Sequence, residues 1–317
     1  MKSGAGVNPL ITAYLGGTGL PNTLIQDGIW RFIGSDYITI NGIDLLDPNT
    51  ANPDYMEFGY GFFKASVTDG CQNNTIQNCV VTLSRNNNST GSGMAVDGSR
   101  AIDVVNALTG AHTTALTITS IAGSNSNNKF YKNTLQNCNI GVALIGFADV
   151  SPFTFADYGN DVGGNSTVTG NTIIDFGGAT AAALPAAGIR TFAQYNVNAS
   201  YNTINNNTGA GINHTNILRG IVLSTALSAN ATVNNNTITI KSDATASASG
   251  IENLSGATAA NNTITINNNL ITGCTSSLAT TQIWYGIWNN AASCSHLSIS
   301  NNTFTNNTTN ATTGAVI

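Results

Sequence analysis

Polar and apolar residues alternate over short runs in much of the chain, most clearly in Thr237-Ile238-Thr239-Ile240 and Thr263-Ile264-Thr265-Ile266. A period of two marks a strand with one buried face. Asn clusters at 234–236 and 267–269 bound these runs. Asn tolerates left-handed backbone and suits tight turns, so the pattern predicts strands of about four to six residues separated by corners.

The runs recur in order. An Asn-Thr pair followed by an aliphatic or aromatic residue returns at Asn74-Thr75, Asn133-Thr134, Asn171-Thr172, Asn202-Thr203, Asn236-Thr237, Asn262-Thr263 and Asn302-Thr303. A second phrase, Gly-Ile, leads the later units at Gly188-Ile189, Gly220-Ile221, Gly250-Ile251 and Gly286-Ile287. Two phrases in fixed alternation with variable spacing describe a unit of several strands and loops of unequal length. Antiparallel hairpins would show two-residue turns such as Asn-Gly between strands, and only Asn41-Gly42 occurs. The expected fold is all-β: one right-handed parallel β-helix over residues 1–317. It would have about nine to eleven coils of about 25 to 35 residues, with strands stacked about 4.8 Å apart. Two longer inserts are expected near 47–69 and 147–164, where many of the aromatic residues and carboxylates lie.

Composition agrees. The chain holds 46 Asn and 42 Thr, but only 8% of its residues are charged, against about 25% in ordinary domains. Identical Asn side chains bond to one another along a stack because each has a donor and an acceptor, whereas stacked charges repel. Long surface helices are excluded by the scarcity of Glu, Lys, Arg and Leu. No apolar run approaches the roughly 18 residues of a membrane helix, so no membrane insertion is expected. Net charge is −5 and the ten Lys and Arg stand scattered, which argues against nucleic acid as a partner. Beyond residue 176 the charged residues are only Arg190, Arg219, Lys241, Asp243 and Glu252. Acid-dependent chemistry is therefore expected before that point. Five cysteines at irregular spacing form no disulfide framework. The start, Met1-Lys2-Ser3-Gly4, lacks the apolar stretch of a signal peptide. The chain reads either as cytoplasmic or as a fragment of a longer protein.

The Gly-Ile and Asn-Thr-Ile phrases resemble those of right-handed parallel β-helix, or pectin-lyase-like, repeat domains. The runs DGIWRFIGSDYITINGIDLLDPNT and GYGFFKASVTDGCQNNTIQNCVVTL are similar to modules of large secreted surface proteins of Bacteroidota. The resemblance spans essentially the whole chain. It implies a secreted or cell-surface location, with flanking modules of a larger protein as neighbours.

The wider superfamily includes polysaccharide lyases and hydrolases, so catalysis must be weighed. A glycosidase needs two carboxylates about 5 to 9.5 Å apart, and a lyase needs acids for calcium plus a base. Asp97, Asp103 and Asp175, with Arg100 nearby, are the candidates; isolated turn or surface residues are the plainer reading. Asp149, Asp157 and Asp161 form a local carboxylate group, in a spacing that matches no calcium motif. No cofactor is expected, with calcium as the ion this loop would suit. Trp284, Tyr285 and Trp288 form a candidate platform for sugar stacking; alternation along a strand would put Trp284 and Trp288 on one face. Thr237/Thr239, Thr263/Thr265 and Thr303/Thr305 would make a two-column array on three successive rungs, the kind of ladder that matches ice or a crystalline lattice.

The expected role is a non-catalytic structural or adhesive segment that binds polysaccharide. A polysaccharide-active enzyme and a lattice binder are the alternatives. The end coils should be covered by flanking modules or by end-to-end self-association.

Overall fold

The computed structural model describes residues 6–16, 26–87, 98–178, 184–209, 214–224, 230–242, 244–256, 262–276, 280–290 and 294–310. The chain winds through three long parallel sheets in turn, a β-solenoid whose described residues hold no more helix than the single turns Pro53–Tyr55 and Ile121–Gly123. Sheet one has eight strands, from Gly28–Ile33 to Trp284–Asn289. Sheet two has eight, from Thr39–Asn41 to His296–Ser300, and sheet three has nine, from Leu10–Thr12 to Thr303–Thr305. Each strand lies parallel on its equivalent one coil away, as in Leu218–Leu223 on Ala248–Asn253. About seven turns carry sheets one and two from first strand to last. Nine to eleven coils was too many, because some turns are long: Asn74 and Asn128, stacked on each other, are 54 residues apart. Much of that length is the excursion between Val105 and Lys129. The span 47–69 does not leave the column; it supplies the fully buried strand Phe58–Phe63 of sheet one.

The interior is a single column of Ile, Val, Leu, Phe and Ala from all three sheets. The Gly-Ile phrase follows from its narrowness. In Leu218–Leu223, Leu218, Ile221 and Leu223 enter the core while Arg219 and Val222 do not, so the in–out alternation breaks at Gly220 although the pairing register runs on unbroken. Gly220 turns inward beside Ile221: a Cβ there would lie 2.5 Å from the Gly250 carbonyl oxygen and 2.6 Å from Ile238 Cγ2. No side chain fits that space. Two successive inward residues shift the alternation, so the outward positions are those just before and just after Gly-Ile.

The Asn doublets divide their labour. Asn235, Asn268 and Asn301 hold φ near +57° and turn the corner. Asn236, Asn269 and Asn302, which follow, form the ladder. From Asn133 through Asn171, Asn202, Asn236 and Asn269 to Asn302, each side-chain amide donates to the next Oδ1 at 2.9–3.1 Å. The same Oδ1 accepts the preceding Asn backbone N–H. These buried amides thus satisfy the groups that the corners leave unpaired.

The ladder corrects one reading. Asn262-Thr263-Ile264 belongs to sheet two, and the rung between Asn236 and Asn302 is Asn269. Thr263 and Thr265 therefore stand on a different sheet from Thr237/Thr239 and Thr303/Thr305. The three-rung array does not form. On sheet three the longest Thr column is Thr134, Thr172, Thr203 and Thr237, and Leu270 ends it.

Candidate functional site

The outward face of sheet one changes character along the solenoid. Over the early coils it is covered. Phe58, Phe63, Val105, Ala107, Ile140, Ala143 and Ile145 form a second apolar cluster there, and His112 packs edge-on against Phe63 at 4.3 Å. Beneath this cover lie Arg100 and Asp103, with no exposed side-chain surface and Nε–Oδ2 at 3.1 Å. Arg100 also donates to the Gly98 carbonyl and to Gln26 Oε1. Burial pushes the Asp103 carboxyl up, and Arg100 opposes that shift. The pair is a closed structural ion pair rather than surface chemistry. Asp97 lies outside the described residues. Asp175 accepts from the Thr208 N–H and hydroxyl at a corner with φ +53°. It is not brought near Arg100 by any shared partner.

The three loop carboxylates each have partners of their own. Asp149 accepts from the N–H groups of Val150 and Phe155. Asp157 is fully buried 3.5 Å from Lys64 and accepts the Asn125 N–H. Burial raises the Asp157 pKa and lowers that of Lys64, each opposed by the charge of the other. Asp161 accepts from the Tyr131 hydroxyl at 2.6 Å and from Asn198. Among the described residues no three His, Cys, Asp or Glu side chains gather as a metal would require.

Beyond the covered zone the outward face opens, and charged and aromatic side chains collect there. The register sets two columns: Ala187, Arg219, Ser249, Tyr285 before the glycine, and Arg190, Val222, Glu252, Trp288 after Gly-Ile. Arg219 pairs with Glu252 through Nε and Oε2. Glu252 also accepts from Asn290 Nδ2 at 3.2 Å. Burial and the nearby Arg219 push the Arg190 guanidinium down to about 10. Arg190 and Arg219 line a depression of about 210 Å³ floored by Ile140, Ala187 and Val222. Next to Glu252, the Tyr285 and Trp288 rings stack at 4.2 Å and 11°.

Trp284 is not part of this platform. It sits inward in the core, 6% exposed, because Gly286 and Ile287 both turn inward and put Trp284 and Trp288 on opposite faces. Strict alternation was the wrong rule at this strand. Three of the five charged residues beyond 176 (Arg190, Arg219 and Glu252) thus meet on one face, in the half where little chemistry was expected. Their signal was available: each stands just before or just after the repeated Gly-Ile phrase, as Tyr285 and Trp288 do.

No family model, no curated protein and no solved structure matches the chain.

Proposed function

We propose that this chain is a non-catalytic β-solenoid segment of a secreted surface protein that displays a glycan-binding face. The observation that carries the reading is the Tyr285–Trp288 stack on the outward face of sheet one, two half-buried rings beside a polar row. Aromatic side chains with an apolar body and a polar edge suit the mixed faces of sugar rings. The adjacent Arg219, held through Nε by the buried Glu252, keeps its other guanidinium N–H groups for hydroxyls, and the Arg190–Arg219 depression suits an acidic substituent. Coils repeat at about 4.8 Å, so the row from Arg190 to Trp288 spans roughly 14 Å, enough for a short oligosaccharide. Hydrolysis would call for a second carboxylate facing the first. On the described part of this face Glu252 stands without one, and Arg219 and Asn290 already hold it.

A glycan array carrying neutral and uronic-acid oligosaccharides tests the reading, with Tyr285→Ala and Trp288→Ala alongside. Each variant should lose about tenfold or more in affinity, as buried aromatic contacts do at binding sites, with the thermal transition unchanged within a few degrees. Silence across the array, or binding indifferent to both substitutions, sinks the proposal. Product release from any bound glycan would instead favour an enzyme.

A further inference from the structure

Two of the scarce charged side chains lie together inside the solenoid. Lys64 and Asp157 each have no exposed side-chain surface, and Nζ stands 3.5 Å from Oδ1. They come from different turns. Lys64 follows the sheet-one strand Phe58–Phe63, and its backbone N–H bonds to the Ala107 carbonyl. Asp157 opens the short strand Asp157–Tyr158, two turns further on. Between them passes the turn that carries the long excursion from Val105 to Lys129. Lys64 reaches over it, and Nζ donates to the Gly123 carbonyl at 2.6 Å on the way.

The scaffold does not ask for a carboxyl at this position. A corner column runs through Cys71, Asn125 and Asp157, in step with the column Asn74, Asn128 and Asn160 beside it. Asn125 Oδ1 receives the Cys71 N–H at 2.9 Å, and Asp157 Oδ1 receives the Asn125 N–H at the same distance. An Asn would make that bond equally well, as Asn160 does for the Asn128 N–H. The carboxyl in an amide column therefore has another partner to answer to, and that partner is the buried amine. As an ion pair the two are expensive to hold away from water. They are also the two groups from which an amide is made.

We propose that Lys64 and Asp157 condense into an intramolecular amide that staples their two turns together across the excursion. The Nζ lone pair adds to the Asp157 carboxyl carbon and forms the C–N bond. The C–O bond to the carboxyl hydroxyl breaks, and that hydroxyl leaves as water with one proton from the amine. Nothing is oxidised or reduced, and no other reactant enters.

The surroundings favour this step. The Gly123 carbonyl orients the amine, and the Asn125 N–H holds an oxygen on which charge gathers as nitrogen adds. Burial lowers Lys64 towards the free amine and raises Asp157 towards the protonated acid, the forms in which one attacks and the other releases water. Two groups fixed in contact react as if at an effective concentration of about 10⁵ M or more. In bulk water, hydration of both ions favours the separated acid and amine. Inside the column that hydration is lost, and the neutral amide is the state the interior accommodates better.

Mass spectrometry of the intact, denatured protein reads the bond directly: the chain should be lighter than its sequence by one water. Proteolysis should release a branched peptide joining Lys64 to Asp157, and trypsin should no longer cut after Lys64. Lys64→Met, which keeps the aliphatic stem and removes the nucleophile, should restore the full mass and lower the temperature of unfolding. The branched peptide from the unsubstituted chain decides the matter even where that variant fails to fold. A protein that melts cooperatively and has its full mass overturns the proposal. So does a water loss that maps to a succinimide at Asp27-Gly28, Asp69-Gly70 or Asp97-Gly98, or one that persists in Lys64→Met.

Discussion

Replacing Asn202 by Ala tests whether the ladder holds the solenoid together. Asn202 is 1% exposed. Its Oδ1 accepts from Asn171 N and Nδ2 at 3.1 and 2.9 Å. Its Nδ2 donates to Asn236 Oδ1, Val162 O and Ser200 O at 3.0–3.1 Å. Five bonds at about 1 kcal/mol each set an upper figure near 5 kcal/mol. Two of the abandoned acceptors keep another donor: Val162 O still receives Ser200 N–H, and Asn236 Oδ1 still receives the residue 202 N–H. The Asn171 N–H loses its acceptor outright. The expected cost is therefore about 3–5 kcal/mol. Asn302→Ala removes three bonds at the half-buried end rung, where water can replace them, and should cost about 1 kcal/mol. Asn202→Asp should exceed the Ala variant, because a buried carboxylate sets an acceptor against Asn236 Oδ1 and Val162 O. Urea unfolding followed by circular dichroism measures these differences. Hydrogen exchange at Asn171 shows whether the loss is local, since repeat arrays open in sections. Equal costs at 202 and 302, or less than about 1 kcal/mol at 202, would refute the ladder's role.

Two further outcomes follow from the packing. Gly220→Ala should lower stability by about 3 kcal/mol or more, since its Cβ meets a backbone oxygen at 2.5 Å, whereas Gly110→Ala, which meets nothing within 4 Å, should be silent in the same thermal melt. Burial raises Glu57 from 4.5 to about 7, against the opposing charge of Arg100. A carboxyl raised on folding favours the protonated state, so its contribution is full below the unfolded value of 4.5 and lost as pH rises through about 7. Stability should thus fall by about 3 kcal/mol between pH 4.5 and 8, and Glu57→Gln should flatten that part of the profile. An unchanged slope in the variant would contradict the assignment.

The fold was legible because stacking forces every coil to repeat the same local chemistry. Thr237-Ile238-Thr239 announces a half-buried strand whatever its neighbours do. The same redundancy hides the register. Asn262-Thr263-Ile264 and Asn236-Thr237-Ile238 read alike, yet one belongs to sheet two and the other to sheet three, because both sheets want an alternating strand after a corner. The surface site was obscured by one residue. At Gly286-Ile287 two successive residues turn inward, and strict alternation across them puts Trp284 on the outward face with Trp288. Arg100 and Asp103 read as neighbours in sequence and, more plainly, as isolated surface residues, because nothing local shows that they pair or that a later excursion, carrying His112, covers them.

The inward glycine has a consequence for how such a molecule changes over generations. It separates the alphabet of the core from the alphabet of the surface. Gly and Ile at the centre of the last four sheet-one strands are held by sterics, while the residue on either side faces outward and is free of that constraint. Each coil therefore contributes two independently variable letters, written in two lines along one ruled surface at steps of about 4.8 Å. Arg190, Arg219, Glu252, Tyr285 and Trp288 are five letters of that text. Rewriting them would change what the surface recognises and leave the column that carries it intact.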